Sequence, residues 1–345
     1  MAGGEYVEGS VWFYGPNKGA AIFFTIAFIT TGAVHLWQAL HYRSWRLTSL
    51  FVICAIFYTG GFITRVLGAF DCTNIVKYIV SVVLSYAAPP LYELENYYIL
   101  GRILYFVPHC SPIHPGRVLT TFAALSSVIE VLNGIGAAYV AIPALPPSLQ
   151  TTGHTLFKAA LILQLGIITL FMALATNFYA RCRKAGIQSP KVHQPLLTLY
   201  ISTALILTRT IYRTVEYFEL DTVNIYLASL NPGAASPIIR YEAFFYAFEA
   251  TLMLLNSVLF NLRHPRSWLP QSTKVYLDKD GIAERLGPGY QERNFVATLL
   301  DPFDVYGMIK GRDNVTRFWE EQNDDGLKMK KYKERNNNRI DGNNY

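Results

Sequence analysis

The hydrophobic residues of this chain are gathered into seven apolar stretches, each close to the roughly twenty residues that a helix needs to cross a bilayer. None shows the sustained apolar–polar alternation of a membrane β-barrel. Because unpaired backbone groups cannot face lipid, the pattern predicts an all-α polytopic membrane protein, a bundle of seven transmembrane helices. The predicted spans are Ala20–Leu40, Leu47–Leu67, Ile75–Leu100, Leu119–Ala141, Thr155–Phe178, Leu196–Tyr217 and Ile238–Leu262.

Lysine and arginine collect in the first, third and fifth loops between these spans. The second and sixth loops are acidic instead, and the fourth has no charge between Ile142 and Gly153. By the positive-inside rule, this asymmetry predicts an N-terminus outside and a C-terminus in the cytosol. The residues that set the orientation are Arg43, Arg46, Arg102, Arg117, Arg181, Arg183, Lys184 and Lys191, against Asp71, Glu219 and Asp221.

The spans divide the chain into a short extracellular N-terminus, a membrane domain and a cytosolic tail, at residues 1–19, 20–262 and 263–345. The opening residues lack a basic start, so we expect no signal peptide and a first helix that acts as its own insertion signal. In the tail, apolar residues scattered over Trp268–Ile309 predict short helices docked on the bundle. The charged, asparagine-rich end at Lys328–Tyr345 is expected to be disordered.

Composition agrees with a membrane protein, since 52% of the residues are hydrophobic and only 16% are charged. The formal net charge of +6 resides mostly in loops and tail. It therefore indicates contact with anionic membrane lipids and no nucleic-acid partner. The sequence sets no oligomeric state.

Cysteine and histidine placement indicates neither a disulfide nor a metal site. Of the four cysteines, Cys72 alone is predicted to face outside, so no two can meet in an oxidising compartment. The histidines do not gather with acids at one depth, and His35 in the first span is interpreted as a core histidine. We expect no cofactor, and the absence of a phosphate-binding glycine loop argues against ATP-driven transport.

Charged residues inside the sixth and seventh spans are the main functional signal. Spacings of four and three place Arg209, Arg213 and Glu216 on one face of the sixth helix. The same spacings place Glu242, Tyr246 and Glu249 on one face of the seventh. Since the two helices run in opposite directions, we predict that Arg213 faces Glu242 near the outer leaflet and that Arg209 faces Glu249 at a deeper level.

Two interpretations of these residues remain open. They are either charge clamps between helices, or the wall of a polar cavity that accepts a charged or zwitterionic head group. Other polar residues within the spans favour a cavity, and Arg65 and Glu216 would form its outer rim. The further candidates are Glu93, Tyr97, Glu130 and Gln164.

Pro89 and Pro90 lie inside the third span, where proline removes backbone hydrogen bonds. We therefore expect the helix to be interrupted and bent there, just before Glu93. The simpler interpretation is a kink that improves packing.

The run from Arg209 to Glu216, the run from Tyr241 to Glu249 and the following His264-Pro265 resemble the signature of the fungal RTA-like proteins, also called the lipid-translocating exporter family. The resemblance covers Tyr14 to about Trp268. Weaker matches upstream are Gly61-Phe62 with Arg65, Pro89, Tyr97, Gly101-Arg102 and Gln164.

This chain departs from the family pattern at several interior positions. Tyr58 stands where relatives usually carry an acid, Glu130 is new to the pattern, and Glu93-Leu94 replace paired alanines. In the fourth helix the usual aspartate and glutamine appear as Ser126 and Asn133, and the seventh-helix aspartate is Glu249. These changes alter the groups that would line a cavity, and so bear on the substrate more than on the fold.

The resemblance implies a seven-helix protein of a fungal plasma membrane or endomembrane, associated with movement of lipids such as sphingoid bases and with resistance to sterol-like toxins. The leading hypothesis is ATP-independent transport of a lipid or amphiphile at the plasma membrane, with the head group held by Arg209, Arg213, Glu242 and Glu249. The alternative is a ligand-sensing receptor, which the outside N-terminus, seven spans and basic third cytosolic loop also fit. We do not expect an enzyme.

Overall fold

The computed structural model contains, among the residues that it describes, seven helices that are long and apolar enough to span a membrane. The all-α, seven-helix membrane fold predicted from hydropathy is thereby confirmed. The described residues are 7, 10–12, 14–141, 145–222, 236–270, 272, 274–287, 301, 306 and 309. The end of the tail, predicted to be disordered, lies outside these residues.

The seven helices follow one another in chain order, with short turns at their ends. A four-residue helix, Pro237–Arg240, precedes the last span, and 3-10 turns cover Pro108–Cys110 and Pro265–Ser267. The spans are α1 (Lys18–His41), α2 (Trp45–Phe70), α3 (Ile75–Phe106), α4 (Pro115–Ala141), α5 (Pro147–Lys184), α6 (Pro190–Thr222) and α7, composed of Glu242–Phe245, Tyr246–Thr251 and Leu252–Leu262.

The helix starts follow from local chemistry. In α1, the Asn17 side chain caps the helix by accepting a hydrogen bond from the backbone N–H of Ala20 at 3.0 Å. Helices α4, α5 and α6 each begin at a proline, which has no N–H to leave unsatisfied in the first turn. Helix α5 begins at Pro147, well before the predicted Thr155. The residues between these positions are mostly polar, and hydropathy detects only the part of a helix that lies in hydrocarbon.

Helix α3 continues through Pro89 and Pro90, so the predicted interruption is wrong. Both prolines lie where the helix packs against neighbours. About two turns before Pro89, Ser81 donates to the carbonyl of Gly61 at 2.8 Å, and directly before Pro89 the carbonyl of Ala88 accepts from the thiol of Cys54 at 3.4 Å. Close packing against α2 on this side stabilises α3 although the prolines remove backbone hydrogen bonds.

Helix α7 contains a π-helical turn at Tyr246–Thr251. Single π turns insert one extra residue into an α-helix and are frequent at functional sites. Here the turn contains Glu249, which is fully buried. The insertion changes the direction of side chains on either side of the turn, so faces deduced from a regular period do not continue through it.

The described residues form two compact units. The first comprises Met1–Tyr97, Leu125–Met172 and Thr198–His264, and stacked aromatic rings form its core. Phe28 lies 4.5 Å from Tyr58 between ring centroids, which joins α1 to α2. All eleven residues proposed above as cavity candidates belong to this unit.

The second unit comprises Tyr98–Ala124, Ala173–Leu197 and Pro265–Tyr345. Its tail segment contains an antiparallel hairpin, Val275–Leu277 with Glu284–Leu286, where short helices were expected. Residues 278–283 form the connection, which contains Gly281 at φ +71°. Backbone N–H donors from the turn lower the pKa of Asp280, so its carboxylate stabilises the hairpin connection.

Candidate functional site

Glu242 of α7 pairs with Arg65 of α2. Its Oε1 accepts from Arg65 Nη2 at 2.6 Å and from Nε at 3.1 Å, while Oε2 accepts from the backbone N–H of Asn17 at 2.7 Å. The predicted Arg213–Glu242 pair is therefore wrong. Arg65 is only 4% exposed, which also contradicts its assignment to an outer rim.

The segment before α1 completes the surroundings of this pair. Arg65 donates to the hydroxyl of Tyr14 at 3.2 Å, and burial raises the pKa of Tyr14 to about 12, so the phenol stays neutral. The Tyr246 hydroxyl reaches the carbonyl of Asn17 at 3.5 Å. The Arg65 guanidinium lies 4.1 Å from the ring centroid of Phe245. These contacts close one end of the charged interior.

Arg213 is neutralised within its own helix. It forms a short ion pair with Glu216 one turn later, and the Tyr212 hydroxyl donates to the same carboxylate at 3.1 Å. The guanidinium lies 3.9 Å from the ring centroid of Tyr86 on α3. Side chains at positions i and i+3 of a helix lie next to each other, so Arg213 and Glu216 can pair without a partner on another helix.

Arg209 and Glu249 form the deeper interhelical pair that their spacing predicted. Arg209 Nε lies 2.9 Å from both carboxylate oxygens of Glu249, and both residues are buried. Tyr58 lies within electrostatic reach of this pair. The pair ties α6 to the π turn of α7.

Glu93 has hydrogen-bond donors around it but no arginine paired with it among the described residues. Gln164 of α5 donates to Oε1 at 2.7 Å, and Tyr97 donates to Oε2 at 3.1 Å. Ser126 of α4 in turn donates to the Tyr97 hydroxyl at 3.3 Å. Because both side chains that contact Glu93 are hydrogen-bond donors, they can stabilise its carboxylate form without an ion-pair partner.

Glu130 follows Ser126 by one turn of α4, which places it close to the Glu93 group. It is exposed, hydrogen-bonds with Asn133 and lies within electrostatic reach of Arg209. Val131 beside it is 59% exposed whereas Ile129 is buried, so Glu130 lies at the boundary between the exposed and the buried sides of α4. We call Glu93, Tyr97, Ser126, Glu130 and Gln164 the acidic group.

The three arginines of this interior therefore each have one carboxylate, whereas the acidic group has two carboxylates and no ion pair within the described part of the chain. The Arg65–Glu242 and Arg209–Glu249 pairs join helices, as the first interpretation requires of charge clamps. The acidic group has carboxyl groups without an ion-pair partner among the described residues, and a ligand could meet them. Across the ranges described, His, Cys, Asp and Glu side chains form no group of three that could hold a metal ion.

Sequence reasoning missed Tyr14 and Asn17, because contacts from a segment before the first span carry no periodic signal. It also missed Glu95, which is 2% exposed in α3. The position of Glu95 inside an apolar stretch could have identified it as a candidate, since ionisable residues within membrane spans are rare.

A family model described as RTA1 like protein matches residues 51–272, which contain every member of the acidic group and all three ion pairs. The chain belongs to the RTA1-like family. No solved structure matches it.

Curated relatives of this RTA1-like chain occur in fungi. It is 40% identical to a "Lipid-translocating exporter-like protein RTA1" of Leptosphaeria maculans over 88% of this chain, and it spans 60% of that relative's length. A protein of the same name in Ajellomyces capsulatus is 28% identical over 76% of the chain and 83% of its own length. "Protoporphyrin uptake protein 1" of Saccharomyces cerevisiae is 25% identical over 73% and 91%. Family and fold establish an integral, multi-pass membrane protein.

Proposed function

We propose that this RTA1-like protein moves a lipid or amphiphile between leaflets without ATP, and that the acidic group receives a cationic amine on its head group. The observation that supports this most is the pairing pattern: Arg65, Arg209 and Arg213 are neutralised, whereas Glu93 and Glu130 form no ion pair with the described residues. The head-group site thus shifts from the ion pairs, where the sequence placed it, to the neighbouring acids.

The surroundings of the acidic group fit an amphiphile. Glu130 is exposed beside Val128 and Val131, which are 57% and 59% exposed, so a ligand could keep its apolar tail in the bilayer while its head reaches the carboxylates. Gln164 and Tyr97 hold the Glu93 carboxylate in place. Arg209 close by would accommodate an acidic group on a zwitterionic head.

The test uses purified protein in vesicles of phosphatidylcholine and phosphatidylglycerol. A single-chain fluorescent lipid with a primary amine head is placed in the outer leaflet, and its loss from that leaflet is followed by a quencher that cannot cross the membrane. Glu93→Gln and Glu130→Gln should each raise the half-saturating concentration about tenfold or more, because a charge-assisted hydrogen bond contributes about 1.5–3 kcal/mol.

Two controls accompany this experiment. Asp71→Asn removes a carboxylate outside the spans and should leave the rate unchanged, and a probe with the same tail and a neutral hydroxyl head should respond little to any variant. Wild-type rates in well-folded Glu93→Gln and Glu130→Gln proteins would contradict the proposed site. Saturable binding of the probe without movement would favour the receptor alternative. Plasma-membrane localisation and toxin resistance are part of the same proposal.

A further inference from the structure

A second buried acid, Glu95, lies two residues after Glu93 on α3. Two residues correspond to about 200° of helix rotation, so the two carboxylates point to different sides of the helix. Glu95 is 2% exposed, and its Oε1 has no hydrogen-bond partner among the described residues. No charged side chain of the described chain lies within interaction distance of its carboxyl group. Glu95 is therefore isolated from the ion pairs and from the acidic group.

Other buried polar atoms without partners lie on the elements around Glu95. On α3, Tyr92 precedes it by one turn, and Cys54 of α2 lies within electrostatic reach of both residues. Asn96, next to Glu95, exchanges hydrogen bonds of 2.9 and 3.2 Å with Ser202 of α6. Unpartnered buried atoms belong to the side chains of Glu95, Thr203 and Asn256 and to Nδ1 of His35.

Unpartnered polar atoms at membrane depth are satisfied by water, since leaving them bare costs free energy. We therefore expect water among the helices that pack against α3. Cys54 of α2 is the titratable group of the described chain within electrostatic reach of Glu95. On α6 and α7, Thr203 and Asn256 have neutral hydroxyl and amide side chains. No arginine, lysine or histidine of the described residues faces it.

A carboxylate without a counter-ion is costly at membrane depth, so the neutral acid is the stable form of Glu95 in this conformation. A conformation that admits water or a cation to Glu95 would release the proton. The reaction is balanced by water: the carboxylic acid gives its proton to a water molecule, and hydronium returns one later.

Polar groups lead from Glu95 toward the end of α7. Tyr92 lies close to Ser257, whose hydroxyl is 3.1 Å from Nε2 of His35. Beyond His35 lies His264, whose ring centroid is 5.2 Å from that of Tyr42. Tyr42 is 39% exposed, so this row of polar groups reaches the surface of the unit.

We propose that Glu95 is a proton-binding site whose uptake and release of a proton are coupled to movement of the lipid. This inference rests on the proposed transport function and assigns its driving ion. In this proposal Glu93 binds the head group, and Glu95 exchanges the proton.

The experiment uses the same vesicles with a fluorescent lipid that has a trimethylammonium head, whose charge does not depend on pH. Valinomycin and potassium hold the membrane potential at zero. For exchange of one proton per lipid, a gradient of about one pH unit should shift the leaflet distribution about tenfold with wild-type protein. Glu95→Gln, which is neutral and of equal size, should equilibrate the probe at the wild-type rate yet show no shift with the gradient.

Glu93→Gln is the matched control, because it should slow equilibration itself. Glu95→Met provides a second variant of similar volume should the amide disturb folding. A gradient response that persists in both Glu95 variants would assign the proton elsewhere, and wild-type equilibration that ignores the gradient would remove the coupling while leaving the proposed function intact. A wild-type protein that moves no probe at all would contradict both.

Discussion

At the residue scale, Arg65, Arg209 and Arg213 each lie against a carboxylate within a helical membrane domain, where an unpaired charge is costly. Removing one member of a buried pair typically costs about 3–5 kcal/mol, because the other charge is left without a partner. The complete pair contributes much less. The two interhelical pairs, Arg65–Glu242 and Arg209–Glu249, therefore fix which helix faces meet. Substituting one partner of a pair disturbs folding before it reports on transport.

A double-mutant cycle distinguishes the observed pairing from the one that helix spacing suggested. Arg65→Met and Glu242→Gln should be non-additive by about 0.5–3 kcal/mol in the free energy of unfolding, since each removes the same contact. The matched cycle, Arg213→Met with Glu242→Gln, should be additive within about 0.5 kcal/mol. Reversible unfolding in mixed micelles measures both. Coupling in the second cycle and additivity in the first would contradict the observed pairing and support the Arg213–Glu242 pair.

The contrast between these pairs shows how far residue patterns reach. Spacing on two antiparallel helices was enough for Arg209–Glu249, because both residues lie at one depth on facing surfaces. Arg65–Glu242 depends on how α2 and α7 are rotated and on Asn17, which donates to the same carboxylate. Periodicity within one helix contains none of that information. For the acidic group, the sequence proposed Glu93, Tyr97, Glu130 and Gln164 as cavity residues, but it could not show that they form no ion pair with the described arginines.

At the element scale, α2 and the segment before α1 fit together through a glycine. A Cβ on Gly68 would lie 2.2 Å from Trp12 Cη2, so this helix surface accepts the indole only because the residue is glycine. Trp12 is buried and packs edge-on against Tyr78 at 5.2 Å, and Val11 donates to the carbonyl of Cys72 at 3.1 Å. Together these contacts hold the N-terminal segment beside the Arg65–Glu242 pair.

Gly68→Ala should destabilise the protein by about 1–3 kcal/mol, because overpacking forces the Trp12 ring out of its site. The same substitution in a Trp12→Ala background should be neutral or favourable, since alanine is the better helix former. Gly166→Ala is the control, as its added Cβ meets nothing within 4 Å. Thermal unfolding in micelles measures the wild type and the four variants. An equal loss with and without Trp12 would show that the close approach is not the cause.

Elements were predictable where one physical rule dominates. Hydropathy located all seven spans because lipid exposure requires long apolar helices. The hairpin at Val275–Leu277 and Glu284–Leu286 was missed, since three-residue strands in a mixed tail leave no alternation to recognise. The π turn in α7 was missed for a related reason: one inserted residue changes direction without changing composition.

At the scale of the whole molecule, the arrangement of charge predicts the orientation that transport would use. Basic residues dominate alternate loops, which the positive-inside rule predicts to lie in the cytosol beside anionic lipid of the inner leaflet. Accessibility of cysteines tests that orientation, but three of the four native thiols, including Cys182, are buried. Failure to label Cys182 would therefore say nothing about the side of the membrane. Exposed positions serve better.

Thr73 and Lys184 are both exposed, one between α2 and α3 and the other at the end of α5. In a Cys72→Ser background, Thr73→Cys should react with a membrane-impermeant maleimide on intact cells, whereas Lys184→Cys should react only after permeabilisation. The reason is that Lys184 belongs to the basic loop between α5 and α6, which the positive-inside rule places in the cytosol. Reaction of Lys184→Cys in intact cells, with Thr73→Cys protected, would invert the topology. The row from Glu95 toward His264 would then open to the outside, and the proton would travel in the opposite direction.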